Sequence, residues 1–173
     1  MKADADDANV SSAFPVASGL NFVRVESATQ ISAARELFLE YAKSLGFSLC
    51  FQNLEEELAN LPGDYAPPDG RLLLAEYEGH LAGCVALHKL EPGVCEMKRL
   101  YLRPQFRGKG LGRLLADRII ADAREIGYSR MRLDTVEPVM KDAVGMYCKL
   151  GFKEIAPYCK NPIDGALYME LQL

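Results

Sequence analysis

Arg107-Gly108-Lys109-Gly110-Leu111-Gly112-Arg113 sets three glycines on alternate positions among three basic residues. Glycine adopts backbone angles that other residues resist, and it lets a ligand approach the main chain with no Cβ in the way. The segment follows the apolar run Leu100-Tyr101-Leu102 and opens into Leu114-Leu115-Ala116, so it reads as a strand, a turn and a helix start. The first N–H groups of a helix lack intrahelical acceptors and stand at the positive end of its dipole, which suits a phosphate or pyrophosphate. From Met97 to Ala116 the chain carries Lys98, Arg99, Arg103, Arg107, Lys109 and Arg113 and no acid, within a protein of net charge −4. Two other phosphate-binding patterns do not fit. A Walker loop needs Ser or Thr after Gly-Lys, and Gly110 follows Lys109. A dinucleotide fingerprint needs G-x-G-x-x-G, and here the spacing is G-x-G-x-G. The plain alternative is an ordinary strand-to-helix turn, against which the acid-free basic run argues.

A second constellation lies downstream, Ala143-Val144-Gly145-Met146-Tyr147-Cys148-Lys149-Leu150-Gly151-Phe152. Taken in order, the two resemble the R/Q-x-x-G-x-G/A and A-x-x-x-Y-x-K-x-G-F elements of the GNAT superfamily of N-acetyltransferases. The resemblance covers about residues 22 to 173 and is strongest from Glu96 to Phe152.

The resemblance implies acetyl-CoA as co-substrate and no metal. The pyrophosphate would lie on the main chain of Arg107, Gly108, Lys109, Gly110, Leu111, Gly112 and Arg113. The pantetheine arm would pair with the backbone of Leu100, Tyr101 and Leu102, where one N–H would polarise the acetyl carbonyl. Tyr147 matches the family's proton donor to the departing thiolate, and a phenol with an ordinary pKa near ~10 is protonated at neutral pH. An aromatic residue at helical spacing can also simply pack. Glu96 matches the glutamate that serves as base in one branch of the family, and burial in a cleft is expected to raise its pKa. Contact with a cationic acceptor, or pairing with Lys98 or Arg99, is equally open to Glu96. Glu137 and His88 are weaker candidates, at a loop and a strand end. One departure stands out: Met140 occupies a position where the family often has asparagine, removing a side-chain amide from the pantetheine.

Elements that would position these groups are legible from periodicity. A strand near Phe22 to Val25 precedes a helix with Ile31, Ala34, Leu37, Phe38, Tyr41 and Leu45 at helical spacing, capped by Ser27 or Thr29. A short helix spans Leu54 to Leu61, and Asp64 to Gly70 is a loop. Arg71 to Tyr77, Leu81 to His88 and Cys95 to Leu102 form an antiparallel meander with turns at Glu78-Gly79-His80 and Glu91-Pro92-Gly93. A helix runs from Gly110 to Ile126 and stops at Gly127. Then come a strand Met131 to Thr135, a helix Lys141 to Leu150, and strands Phe152 to Ile155 and Ala166 to Leu171. The order β-α-α-β-β-β-α-β-α-β-β is that of an α/β (α+β) GNAT-type acyl-CoA N-acyltransferase fold, a twisted mixed sheet of about seven strands with helices on both faces. Residues 1–20 are read as a flexible tail and 21–173 as a single domain.

The length of 173 residues suffices for one well-buried core, and the composition is that of an ordinary soluble globular protein. The chain contains no apolar run long enough to span a bilayer, and its acidic start, Met1 to Asp7, is no secretory signal. Five cysteines, an odd number without metal-type spacing, do not suggest a disulfide framework and point to the cytoplasm. The short basic run in an acidic protein fits one small polyanion and argues against nucleic acid. The acceptor would be an amine of a small molecule or of a protein, shaped by Phe47, Phe51, Tyr65, Tyr158, Asn161 and the acids Glu55, Glu56 and Glu57. The alternatives are transfer of another acyl group, or a silent acyl-CoA-binding module. A homodimer through sheet edges is left open.

Overall fold

A computed structural model describes residues 18–173; residues 1–17 of the expected tail lie outside the described part. Strands β1 (Leu20–Arg24), β2 (Arg71–Tyr77), β3 (His80–Glu91), β4 (Val94–Leu102), β5 (Arg130–Val136), β6 (Lys153–Glu154) and β7 (Ala166–Gln172) form one sheet. Their spatial order is β1-β2-β3-β4-β5-β7-β6. Helices α1 (Ala28–Ser44), α2 (Leu54–Asn60), α3 (Leu111–Ile126) and α4 (Lys141–Leu150) complete the expected succession. Short 3-10 turns at Cys50–Gln52, Gly63–Tyr65 and Pro104–Phe106 have no periodicity that could announce them. The expected strand from Phe152 to Ile155 shrinks to two residues, because Phe152 turns into the core.

Both faces of the central strands are covered, which is why β2 and β3 are apolar without interruption at 72–75 and 84–87. Leu73, Ala75, Val85 and Leu87, with Cys95 and Met97 of β4, pack against Leu111, Leu115 and Ile119 of α3. Leu72, Leu74, Cys84 and Ala86 pack on the other side against Ala34, Leu37 and Phe38 of α1. Ser27 caps α1: its hydroxyl accepts from the Gln30 N–H, and its own N–H donates to the Gln30 side chain at 2.9 Å. Helix α3 begins at Gly110 and closes at Gly127, both left-handed at φ 76° and 104°.

Two irregularities open the sheet. All paired neighbours are antiparallel except β4 and β5, which pair in parallel at Val94–Arg130, Cys95–Met131 and Glu96–Arg132 only. β4 runs on to Leu102 and β5 to Val136, so beyond Glu96 the two strands part and leave a wedge. β4 also carries a bulge. Ala86 lies opposite Lys98 but Cys84 lies opposite Tyr101, giving β4 one extra residue, and Arg99 there adopts φ 57°. The extra residue shifts the side-chain alternation. Glu96 and Lys98 before the bulge, and Tyr101 after it, stand opposite His88, Ala86 and Cys84 on the α1 side.

Candidate active site

The wedge holds a groove of about 360 Å3 lined by Leu100, Tyr101, Leu102 and Arg107 on one wall and by Val139, Met140, Lys141, Asp142 and Ala143 on the other. Its β4 wall is main chain not paired to β5, open to an extended guest except at the Leu102 carbonyl, which accepts from Arg107. The turn beyond follows from its glycines: Gly108 and Gly110 both sit at φ 76°, with open space where a Cβ would stand. Gly112 is held by no such angle, and a Cβ there would make only ordinary contact with Leu102. Leu111 is buried in the core beside α3's other apolar residues, so only its backbone faces the turn. The open space over Gly108 and Gly110 leaves their backbone accessible to an anionic group, and the groove has room for an extended chain along β4.

The basic run is less free than its sequence suggests. Arg99 is buried and bound by Glu57, and Arg103 is held by Glu36 and by Glu40 at 2.8 Å. Arg113 pairs with Asp117 at 3.0 Å, one turn further along α3. Arg107 and Lys109 form no ion pair among the described residues. Arg107 donates to the Leu102 carbonyl at 2.9 Å, and Lys109 stands over the Tyr77 ring.

Where the groove runs toward the sheet centre it reaches a small cavity bounded by Tyr147, Leu100, Met140, Asp134, Gln52 and Lys98. Tyr147 packs on Phe152 with ring centroids 5.7 Å apart, and burial pushes its phenol pKa up. Gln52 and Lys98 also line a larger cavity of about 500 Å3 on the α2 side, walled by Glu56, Asn60, Asp64, Tyr65, His88 and Glu96. The two spaces therefore meet at Gln52 and Lys98, with Tyr147 on one side and Glu96 on the other.

Glu96 differs from expectation in its ionisation. Burial raises its pKa, but a hydrogen bond with His88, the nearby Lys98 and a hydrogen bond from Tyr158 outweigh it, and the net shift is downward. His88 Nε2 lies 2.6 Å from Oε2, and Tyr158 donates to Oε1 at 2.8 Å. The buried carboxylate is thus ionised and already engaged at both oxygens. His88, set aside as a strand-end residue, is its cross-strand partner. The hairpin held the clue: 88 and 96 are equidistant from Pro92, so a tight turn there places both residues side by side on one face. Asp134 accepts from Asn161 at 2.9 Å, and Cys159 completes a group with Glu96 and Asp134 within 4.8 Å. Burial and these two carboxylates push the Cys159 thiol up to about 11, so without a bound cation the trio is a protonated thiol beside hydrogen-bonded carboxylates. Glu137 is exposed and belongs to neither cavity.

One polar assembly ties the α2 wall to the sheet. At the β4 bulge Arg99 donates to both Glu57 oxygens and, at 2.8 Å, to Gln52, while Tyr65 donates to Glu57. No α2 side chain is fully buried; these bonds and an Arg35 contact to the Leu58 carbonyl hold it in place together with the packing of half-buried Leu58, and of Leu61 just after it, on the α1-side core.

Comparison with known proteins bears on this geometry. A model of the acetyltransferase (GNAT) family matches residues 32–152. An uncharacterised N-acetyltransferase of Schizosaccharomyces pombe is 42% identical over 158 residues, covering 90% of this chain and 96% of its own. An uncharacterised N-acetyltransferase of Escherichia coli K12 is 32% identical over 146 residues, covering 80% and 84%. Among solved structures, a GNAT-family acetyltransferase of Staphylococcus aureus Mu50 aligns with a TM-score of 0.73 at 19% identity, covering 88% of this chain and 98% of its own. One from Elizabethkingia anophelis, with acetyl-CoA bound, aligns at 0.67 and 19% identity, covering 91% and 100%. At such identities the structural likeness bears on the fold.

Proposed function

This chain belongs to the acetyltransferase (GNAT) family, and from that premise we propose that it transfers the acetyl group of acetyl-CoA to a primary amine of a small molecule. The observation that carries this reading is the small cavity at Tyr147, which shares Leu100 and Met140 with the groove beside β4 and Gln52 and Lys98 with an acid-lined space on the α2 side. A space of about 500 Å3 suits a small acceptor. Glu56 and Asp64 on its wall form no ion pair among the described residues and favour a cationic guest. Bound acetyl-CoA supplies an acetyl group activated as a thioester. Its pyrophosphate is assigned to the backbone N–H groups from Arg107 to Arg113, and its pantetheine to the free edge of Leu100, Tyr101 and Leu102. Tyr147 is assigned the proton donated to the leaving sulfur, and the Glu96 cluster the proton removed from the acceptor. Five free thiols suit a reducing compartment, so the proposed location is the cytoplasm.

Calorimetric titration with acetyl-CoA, beside desulfo-CoA and ATP, tests the reading. Both CoA compounds should bind and ATP should not. Gly110→Asp should abolish that binding, since it sets a carboxylate against the pyrophosphate and forces a side chain into φ 76°. Binding by the variant as tight as by the parent would move the site elsewhere.

A further inference from the structure

Resting on the acetyltransferase reading, we propose that His88, oriented by Glu96, is the base that takes the proton from the acceptor ammonium. Glu96 is badly placed to do so itself, because His88 and Tyr158 occupy its two oxygens at 2.6 and 2.8 Å and Lys98 stands 3.9 Å away. An ionised carboxylate can only accept, so the proton between the partners belongs to His88 Nε2. A neutral imidazole that donates from Nε2 keeps its lone pair on Nδ1. That nitrogen has no hydrogen-bond partner among the described residues, and the side chain, 19% exposed, lines the larger cavity. The Tyr65 ring meets the imidazole edge-on at 5.9 Å, and with the Glu96 bond this fixes the plane of the ring.

The charge around His88 suits the ion it would become. Glu96 and Lys98 face it from β4, Tyr65 and Asp64 from the turn after α2, Glu56 and Glu57 from α2, and Tyr158 reaches it through Glu96. Lys98 is the one lysine in that lining, set against four carboxylates, of which Glu57 is neutralised by Arg99. In the step itself, an N–H bond of the ammonium breaks, its electrons remain on nitrogen, and the proton bonds to Nδ1. The freed pair forms the bond to the acetyl carbonyl carbon, and the carbon–sulfur bond breaks with its electrons on sulfur. Tyr147 gives its proton to the sulfur and regains one from the new amide nitrogen, while the imidazolium releases its proton to solvent. Glu96 stays ionised throughout.

The chain has two histidines, His80 on the exposed start of β3 and His88. Nitrogen NMR on full-length His80→Gln protein near pH 8 therefore reports His88 alone. The expected spectrum is that of the Nε2–H tautomer, and an Nδ1–H tautomer would overturn the proposal. His88→Gln retains an amide that can donate to Glu96 and should preserve the fold. Its kcat near pH 7 should fall by roughly a hundredfold or more, the size of a lost general base. The deficit should narrow at high pH, where the acceptor amine is already free, and acetyl-CoA affinity should change by less than about twofold. A variant that keeps the parent's acidic limb in kcat/KM would refute the base role alone. Failure of acetyl-CoA to bind the parent protein would take down the acetyltransferase reading as well.

Discussion

At Tyr147, packing and the proposed proton donation are one arrangement. The ring rests on Phe152, and the residue also borders the small cavity with Leu100 and Asp134. Burial pushes its pKa up, so the phenol holds its proton at neutral pH. Tyr147→Phe preserves the packing and removes only the hydroxyl. Steady-state kinetics should show kcat lower by roughly a hundredfold, with unchanged acetyl-CoA affinity by calorimetry. An unaltered kcat would leave Tyr147 with packing as its whole role. Residue type and motif spacing made Tyr147 and the glycine turn legible. They could not show the ionisation of Glu96, which depends on His88 across the hairpin and on Tyr158 from 62 positions away.

The element whose position matters most for the proposed acceptor site is α2, which buries little apolar surface beyond Leu58 and is tied to the sheet by polar bonds. Arg99→Met alone strands the Glu57 carboxylate, at a cost of roughly 3–5 kcal/mol if the site behaves as other buried pairs do. Joined with Glu57→Leu it removes both charges, and stability should return to within about 1–2 kcal/mol of the parent. The double variant should still bind acetyl-CoA normally yet show a raised KM for the amine, because α2 has lost its fixed seat. Urea unfolding and bisubstrate kinetics separate the two effects. An unchanged amine KM in the double variant would mean that the α2 wall is positioned by something else. Helix caps, the meander and the three long helices were readable from local pattern, since each rests on neighbours in sequence. The strut was not. Arg99 stood in a run that read as anion-binding, and its partner Glu57 comes from 42 positions earlier. Arg103, likewise, is claimed by Glu40 from 63 positions away. A basic run in sequence is therefore not a basic patch in space.

For the molecule as a whole, these internal pairs set the response to acid. Glu40, through its hydrogen bond to Arg103, and Glu96, through the groups that outweigh its burial, both have pKa values below their ordinary 4.5. Between the folded and unfolded values the unfolded chain binds more protons, so stability rises with pH there. Their contribution is complete above about 4.5 and is lost as pH falls through the lower folded values. Urea midpoints should accordingly be lower at pH 3.5 than at pH 6, and Glu96→Gln should flatten that difference. A midpoint independent of pH over this range would contradict both ion pairs.

The short parallel seam between β4 and β5 divides labour within the molecule. Three residue pairs join its halves, and past them the edge of β4 offers main-chain groups that any sequence would present. A guest gripped there is held by something substitution hardly alters. The walls proposed to select the second substrate, α2 and the turn after it, hang largely on side-chain bonds and can be rebuilt without loosening that grip. The fold thus keeps a constant handle beside an interchangeable mouth, and a change in diet requires no change of engine.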